Sequence, residues 1–136
     1  MVKKRNLTKE KIIEKAFELA NEITLENVTF QNLAERLNIK YPSLYNHFKN
    51  MEELKTYMTI SLTKDLNTKL MEQLIGISGE EAVRIFARVY KEFAFDNRTA
   101  YFLYINIRNL KSEEVQNLIN TTSAIIKQVL NYYVKT

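Results

Sequence analysis

Apolar residues recur every three or four positions along most of the chain, which is the spacing of α-helices with one buried face. The first run follows Thr8, a predicted N-cap, and continues to Ile23. A second, shorter run follows Thr29, also a predicted N-cap, and ends at Asn38, a residue type that tolerates the positive φ of a tight turn. The pattern therefore predicts two helices followed by a turn.

Residues 41–48 are predicted to form a third short helix, because Pro42 suits the first turn of a helix and disfavours its interior. Leu44 and Phe48 are spaced to form its buried stripe. Its outward side chains can all form hydrogen bonds, namely Ser43, Tyr45, Asn46 and His47. Two short helices around a tight turn, the second carrying such groups, have the outline of a helix-turn-helix DNA reader. Packing of Tyr45 on the first helix and an ordinary surface hydrogen bond for His47 are the structural alternatives.

After residue 50 the pattern predicts four further helices. The first is long, because apolar residues occupy every fourth position, at Leu54, Met58, Leu62, Leu66, Leu70 and Leu74. A coiled-coil strand is the alternative, but its seam would alternate spacings of three and four. Ser78 with Glu81 predicts a capping box at the start of the next helix. Residues 101–110 are predicted to form an aromatic-rich helix, and Ser112 is predicted to start the last helix.

Two glycines and one proline among 136 residues leave little turn material for a sheet, so the fold class is predicted to be all-α. We predict a three-helix helix-turn-helix head at residues 1–50. A long helix is expected to join it to a helical ligand-binding and dimerisation body at residues 51–136. The last apolar pattern still runs where the sequence stops, so this body is expected to be incomplete.

The residues for common catalytic and metal chemistry are scarce. The chain has no cysteine and one histidine, which excludes disulfides and thiolate metal sites. It has neither a nucleophile-base pair nor a glycine-rich phosphate loop, so we expect no enzyme, no catalytic or metal-binding residues and no cofactor. No apolar run is long enough to span a bilayer, and a cytoplasmic protein without a membrane partner is expected.

The distribution of charge says more than the net charge of +4. No acidic residue lies between Glu35 and Glu52, where the chain carries Arg36, Lys40, His47 and Lys49. Lys3, Lys4 and Arg5 form a second basic cluster. Both clusters are compatible with ordinary solvated surface, but the first coincides with the helix-turn-helix pattern. This coincidence favours a surface that faces phosphates.

Residues 8–58 resemble the N-terminal DNA-binding domain of TetR/AcrR-family transcriptional regulators, through the first helix, residues 27–34 and residues 43–54. Weaker similarity continues through residues 90–95 and Tyr101 to the C-terminal ligand-binding domain called WHG in some of these regulators. Members are mostly homodimeric repressors that release an operator when a small molecule enters the C-terminal domain. The resemblance therefore implies double-stranded operator DNA, a second copy of the chain and a small-molecule inducer as partners.

Position by position, the resemblance implies that Thr29 caps its helix against a phosphate and that Gln31 approaches a base edge. The groups of residues 43–47 would face the major groove and its flanking backbone, and Lys49 would meet a phosphate. The complete predicted DNA-binding set is Lys3, Lys4, Arg5, Thr29, Gln31, Lys40, Tyr41, Ser43, Tyr45, Asn46, His47 and Lys49. The chain departs from the family pattern at Thr24, often glycine, at Lys40, often a capping serine or threonine, and at Met51, often a phosphate-binding lysine.

In the body, aromatic residues crowd into two predicted helices. Aromatic residues at this density more often form plain core than a ligand site, but buried tyrosine hydroxyls need polar partners, which suits an apolar pocket with a few polar groups. The predicted site for an apolar or aromatic inducer comprises Tyr90, Phe93, Tyr101, Phe102 and Tyr104. We thus predict a ligand-responsive repressor that binds a palindromic operator as a homodimer. The alternative is a protein-interaction adaptor that uses the same head on a protein partner, which would tolerate acidic residues at positions 41–48.

Overall fold

The computed structural model describes residues 7–106 and 111–134, and this part of the chain contains helices and connections but no strand. The α-helices are α1 (Lys9–Ile23), α2 (Phe30–Leu37), α3 (Met51–Leu74), α4 (Gly79–Asp96), α5 (Thr99–Ile105) and α6 (Glu113–Val134). Two 3₁₀ helices, Leu25–Asn27 and Tyr41–Asn46, lie on either side of α2 in the sequence. The prediction of an all-α fold is confirmed.

The chain divides into two compact units, Met1–Met58 and Thr59–Thr136. This division falls within α3, whereas the sequence predicted a domain boundary at the start of that helix. In the first unit, α1 packs against α2 and the first 3₁₀ helix. Over residues 7–58 its buried side chains are all apolar and include Ile12, Ala16, Leu33, Leu44, Phe48 and Leu54.

The residue at the start of α1 suits its backbone conformation, whereas the residue at the end of α1 does not. At the start, the Thr8 hydroxyl accepts a hydrogen bond from the Lys11 backbone N–H at 3.2 Å, so the predicted N-cap is confirmed. At the end, Thr24 has φ 71° and ψ 151°, a conformation that a β-branched residue rarely adopts. The Asn27 side chain donates to Thr24 Oγ1 at 3.1 Å and to the Ile23 carbonyl at 2.8 Å. These two bonds hold the strained corner in place.

In the second unit, α4 packs against α6, and the predicted apolar row of α3 is buried from Leu62 to Leu70. Ser112 caps α6 by accepting from the Val115 N–H at 3.2 Å. The capping box predicted at Ser78 is wrong, because this N-cap residue makes no side-chain hydrogen bond to α4. Of the helix predicted over residues 101–110, α5 ends at Ile105, and residues 107–110 lie outside the described residues.

A buried polar row, which the sequence analysis missed, runs along α3 at Thr59, Thr63 and Asn67. The Thr63 hydroxyl donates to the Thr59 carbonyl at 2.7 Å and lies 2.9 Å from the Tyr104 hydroxyl. Because the Thr63 hydrogen is used within α3, Tyr104 is the donor to Thr63. The polar row has the same four-residue spacing as the apolar row of α3. Spacing therefore does not show that the polar row is buried as well, and only the packing of the other helices against α3 does.

The Asn67 side chain connects α3 to α6. Its Nδ2 donates to the Leu118 carbonyl at 3.0 Å, and its Oδ1 accepts a short hydrogen bond from the Thr122 hydroxyl. The amide nitrogen and the amide oxygen of Asn67 thus each have a hydrogen-bond partner. A buried amide is tolerated in such a position only because its donor and its acceptor both find partners.

Candidate nucleic-acid interface

The start of α2 is fixed by a reciprocal pair of hydrogen bonds. The Thr29 hydroxyl accepts from the Asn32 N–H at 3.1 Å, and the Asn32 side chain accepts from the Thr29 N–H at 2.8 Å. The Asn32 amide also donates to the Asn27 carbonyl at 2.8 Å. This arrangement is a capping box with asparagine in place of the usual glutamate. It confirms Thr29 as the N-cap and fixes the orientation of the first turn, including Gln31.

The end of α2 forms the predicted turn. Asn38 has φ 56° and ψ 47°, the left-handed conformation expected of a residue between the two helices of this motif. The Ile39 N–H donates to the Ala34 carbonyl at 3.0 Å, which closes the helix end. Lys40 then precedes the second 3₁₀ helix but makes no capping bond with its side chain. The turn prediction is confirmed.

The segment after the turn comprises the 3₁₀ helix Tyr41–Asn46 and residues 47–49, here called the reading segment. It was predicted as a short helix, and the structure gives it 3₁₀ geometry with Pro42 in the first turn. The Ser43 N–H donates to the Lys40 carbonyl at 3.0 Å. Proline supplies no N–H and the helix is short, which are conditions under which 3₁₀ turns are common.

Two apolar side chains anchor the reading segment. Leu44 is 0% exposed and Phe48 is 1% exposed, so the predicted buried stripe is confirmed. The Phe48 ring packs edge-on against Tyr57 of α3, with ring centroids 5.6 Å apart. Burial of both residues holds the backbone between them, and with it the positions of the intervening polar side chains.

The predicted DNA-binding residues within the described part of the chain lie at or near the surface. Exposed members of the set are Thr29, Gln31, Lys40, Tyr41, Tyr45, Asn46 and Lys49. Ser43 and His47 are half-buried. Lys3, Lys4 and Arg5 were also predicted to bind DNA, but they lie outside the described residues. The structure thus brings Gln31 of α2 and the polar groups of the reading segment into one helix-turn-helix arrangement.

Tyr45 is both packed and exposed. Its ring meets Phe30, the first residue of α2, edge-on at 4.9 Å, and Tyr41 at 6.3 Å. The side chain nevertheless remains 55% exposed. The packing alternative for Tyr45 named the first helix, whereas the ring contact is with α2. Aromatic contacts restrict the ring while its surface stays accessible.

The basic side chains near the reading segment fall into two groups. The Arg36 guanidinium forms a 2.5 Å ion pair with Glu22 of α1. The hydrogen bond between them lowers the pKa of the Glu22 carboxyl and raises the pKa of Arg36, so Arg36 is held against α1. Lys40 and Lys49 are exposed and form no ion pair with any described carboxylate. These two lysines are the cations near the turn that are available to phosphates.

The sequence analysis missed a contact of Lys9, the first residue of α1. Its Nζ lies 4.3 Å from the ring centroid of Tyr57 and 5.6 Å from that of Phe48. A cation over aromatic faces is attracted by the ring quadrupole. The three residues are far apart in the sequence and share no pattern, so only the fold could reveal this contact.

The second unit contains a separate candidate site for a small molecule. A cavity of about 330 Å³ lies between α4 and α5. Four of the five predicted ligand-binding residues line it: Tyr90, Phe93, Tyr101 and Tyr104. The fifth, Phe102, is not a lining residue and packs edge-on against Tyr101 at 5.4 Å. A larger cavity of about 850 Å³, which the sequence did not predict, lies among α3, α4 and α6.

Burial raises the pKa of the Tyr104 phenol, and the Thr63 hydroxyl opposes this change because it can turn to donate a hydrogen bond to the phenolate. The neighbouring Tyr90 adds a smaller upward contribution. Tyr104 therefore stays neutral well above neutral pH. Among the described residues there is no group of three or more side chains suited to holding a metal ion, and none of the described helices is long and apolar enough to cross a membrane.

The fold and the polar reading segment define a helix-turn-helix protein of the DNA-binding class. Comparison of sequences agrees with this class and narrows it. The sequence model of the family described as bacterial regulatory proteins, tetR family, matches residues 12–57. The matched range covers most of α1, all of α2, the reading segment and the start of α3.

Individual relatives extend the similarity beyond this range. YobS, an uncharacterised HTH-type transcriptional regulator of Bacillus subtilis, is 25% identical over 95 residues, covering 70% of this chain and 50% of YobS. Rv0681, an uncharacterised HTH-type regulator of Mycobacterium tuberculosis, is 30% identical over 95 residues, covering 70% and 44%. The class G tetracycline repressor of Vibrio anguillarum is 32% identical over 98 residues, covering 72% and 43%. The chain spans about half the length of these relatives or less.

A solved structure is similar in fold. PfmR, a TetR-family transcriptional regulator from Thermus thermophilus, superposes with a TM-score of 0.71 at 22% identity, over 90% of this chain and 68% of PfmR. The chain carries a TetR-family DNA-binding domain over residues 12–57 and is similar to HTH-type transcriptional regulators beyond this range. The resemblance inferred from residues 8–58 is confirmed.

Proposed function

We propose that the protein is a cytoplasmic repressor that binds a near-palindromic operator as a homodimer. The observation that carries this proposal is the reading segment, which holds Tyr45 and Asn46 exposed between two fully buried apolar anchors. Side chains that can form hydrogen bonds, presented on a fixed backbone, are what readout of base edges requires. No acidic side chain lies at positions 41–48, which favours DNA over the protein-adaptor alternative.

The palindrome follows from two-fold symmetry. Two copies related by a two-fold axis present two reading segments, which must meet half-sites about one helical turn apart or a multiple of it. We propose a homodimer because the relatives are regulators of a family whose members mostly act as dimers. The YobS, Rv0681 and class G names state regulation or repression, and the repressor role is extended to this chain by analogy.

We assign different roles to the amides and to the lysines. Asn46 and Gln31 carry amides that can bond the N6 and N7 positions of adenine in pairs, so they are proposed base readers. Lys49 and Lys40 are proposed phosphate contacts, which position the protein without reading sequence. Ser43, His47, Thr29 and Tyr41 are proposed to bond the flanking backbone, and Lys3, Lys4 and Arg5 to add further phosphate contacts.

The test is selection from random duplex DNA, followed by titration of the enriched duplex and a scrambled one. Asn46→Ala and Gln31→Ala should each relax base preference at one position per half-site, at a cost of about 1–3 kcal/mol in cognate binding. Lys49→Ala is the matched control, since it should weaken cognate and scrambled duplexes by the same factor.

Two results would contradict parts of this proposal, the first the role of Asn46 and the second DNA binding itself. The first is equal loss of cognate and scrambled binding in Asn46→Ala, which would remove Asn46 as a base reader. The second is binding that does not weaken as potassium chloride rises, because phosphate contacts release counterions and make affinity fall steeply with salt.

We further propose that an apolar or aromatic small molecule enters the cavity between α4 and α5 and weakens operator binding. Tyr90, Phe93, Tyr101 and Tyr104 supply an aromatic lining, and Phe102 supports it through Tyr101. A ligand of the folded protein raises its melting temperature by mass action. A thermal-shift screen of hydrophobic molecules, followed by operator titration of each hit, tests this response. A stabilising ligand that leaves operator affinity unchanged would show binding without regulation.

A further inference from the structure

Among the described residues that line the cavity between α4 and α5, one side chain is charged. The lining consists of Tyr90, Phe93, Ala94, Asn97, Arg98, Ala100, Tyr101, Tyr104 and Ile105. Arg98 is the only member of this set that is charged at neutral pH, and no carboxylate belongs to it. By contrast, the larger cavity has no charged side chain in its described lining. The two cavities therefore differ in the charge that a ligand would meet.

Arg98 has no acidic partner within residues 7–106 and 111–134. Its guanidinium lies 5.9 Å from the ring centroid of Phe95, a side chain that is 73% exposed. The other described arginines, Arg36, Arg84 and Arg88, each form an ion pair with a glutamate. Arg98 is thus the described arginine whose planar fork of donors is free to meet an anion.

We propose that this cavity binds a small aromatic carboxylate, with the ring against the tyrosine-rich wall and the carboxylate on the Arg98 guanidinium. The proposal rests on the ligand response proposed above and names the chemical class of the ligand. A guanidinium binds a carboxylate through two parallel hydrogen bonds, which a neutral amide of the same shape cannot reproduce. A cavity of about 330 Å³ lies at the small end of the range for ligand sites, which suits one or two rings.

The tyrosines of the lining have different roles in this arrangement. The Tyr104 hydroxyl already donates to Thr63, so Tyr104 contributes ring surface rather than a donor. Its raised pKa keeps the phenol neutral, and no phenolate repels the carboxylate. Tyr90 and Tyr101 are exposed and make no hydrogen bond through their hydroxyls among the described residues. Their hydroxyls are therefore available to the ligand.

The test uses benzoate and its neutral isostere benzamide, titrated calorimetrically into the full chain without DNA. We expect benzoate to bind about tenfold more tightly than benzamide, because a charge-assisted pair of hydrogen bonds is stronger than a neutral one and solvent screening removes only part of that advantage. Arg98→Gln should bring the two affinities to within about twofold. Lys91→Gln is the matched control, since Lys91 is an exposed cation of α4 that does not line the cavity, and it should retain the preference.

A second variant locates the site independently of charge. Ala94→Trp places a large ring at an exposed lining position of α4 and should abolish binding of both ligands. A benzoate preference that survives in Arg98→Gln would overturn the assignment of the carboxylate, while leaving the ligand cavity itself intact. Failure of both ligands to bind the unmodified chain would overturn the proposed aromatic-carboxylate site. Neither outcome would affect operator binding, which the duplex titrations measure separately.

Discussion

The two units differ in whether polar side chains are buried among the apolar ones. Among the described residues of the first unit every buried side chain is apolar, and the large exposed apolar residues are two tyrosines of the reading segment, Tyr41 and Tyr45. In the second unit the buried set includes four polar residues, Thr59, Thr63, Asn67 and Thr99. Its exposed set includes Met71, Ile75, Tyr90, Phe95, Tyr101, Ile105 and Leu130.

This difference corresponds to two different requirements. A reading surface needs a fixed backbone, and a small apolar core with capped helices supplies one. A unit that binds a small molecule or a second copy needs cavities and exposed apolar surface, both of which cost packing. We therefore expect substitutions of buried residues in the first unit to act through loss of apolar packing, and substitutions in the buried polar row of the second unit to act through loss of hydrogen-bond partners.

The largest effect is expected from Phe48→Ala. The side chain is 1% exposed and packs against Tyr57, so its removal should lower the free energy of unfolding by about 3–5 kcal/mol. Tyr45→Ala is the control, because that ring is half exposed and should cost about 0.5–1.5 kcal/mol. Denaturant titration gives the free energies, and hydrogen exchange should show the loss in α1 and α2. An equal loss in the free energy of unfolding for the two variants would contradict the distinction between buried core residues and exposed residues of the reading segment.

A smaller effect is expected at Asn67 in the second unit. Asn67→Leu removes the bonds to the Leu118 carbonyl and to Thr122, and should cost about 1–3 kcal/mol. Adding Thr122→Val also removes the hydroxyl that donates to the Asn67 amide oxygen. Because apolar replacement of both partners can be nearly neutral, the double variant should cost less than the sum of the two single variants. Strict additivity would show that the polar row does not couple α3 to α6.

Local sequence signals predicted the first unit well. Thr8, Thr29 and Asn38 form hydrogen bonds with residues no more than four positions away in the sequence. The two N-caps and the turn that they form agree with the prediction. The 3₁₀ geometry of the reading segment was not predicted, because residue spacing alone does not separate a short α-helix from a 3₁₀ helix. In the second unit, the polar row depends on contacts of α3 with α5 and α6, which are distant in the sequence, so no local pattern predicts it. Arg98 lies between the consecutive helices α4 and α5, but residue spacing does not indicate that they enclose a cavity.

A substitution at Thr24 tests whether the backbone of the first unit is strained at the end of α1. Thr24→Gly should raise the free energy of unfolding by about 1 kcal/mol, since glycine adopts φ 71° freely, although it gives up the bond from Asn27 and is more disordered when unfolded. Asn38→Gly is the matched control at φ 56°, a conformation that asparagine tolerates, and it should change stability by less than about 0.5 kcal/mol. Destabilisation by Thr24→Gly would mean that the side-chain bond outweighs the backbone strain.

A similarly small effect is expected from Tyr104→Phe, and the pH dependence of this effect tests whether the phenol is buried. At neutral pH the loss of the hydrogen bond to Thr63 should cost about 0.5–1.5 kcal/mol.

Folding raises the pKa of Tyr104, so the folded state holds this proton more tightly than the unfolded state does. The stabilisation from this proton is complete below the ordinary phenol pKa of about 10 and is lost as the pH rises through the raised pKa of the folded state. The stability difference between the unmodified chain and Tyr104→Phe should therefore narrow above about pH 10, while the shared lysines and other tyrosines cancel. Denaturant titrations at pH 7 and at several values above 9.5 measure this difference. A gap that stays constant across the series would show that the Tyr104 phenol is not protected by burial, and that the polar row of the second unit is open to water.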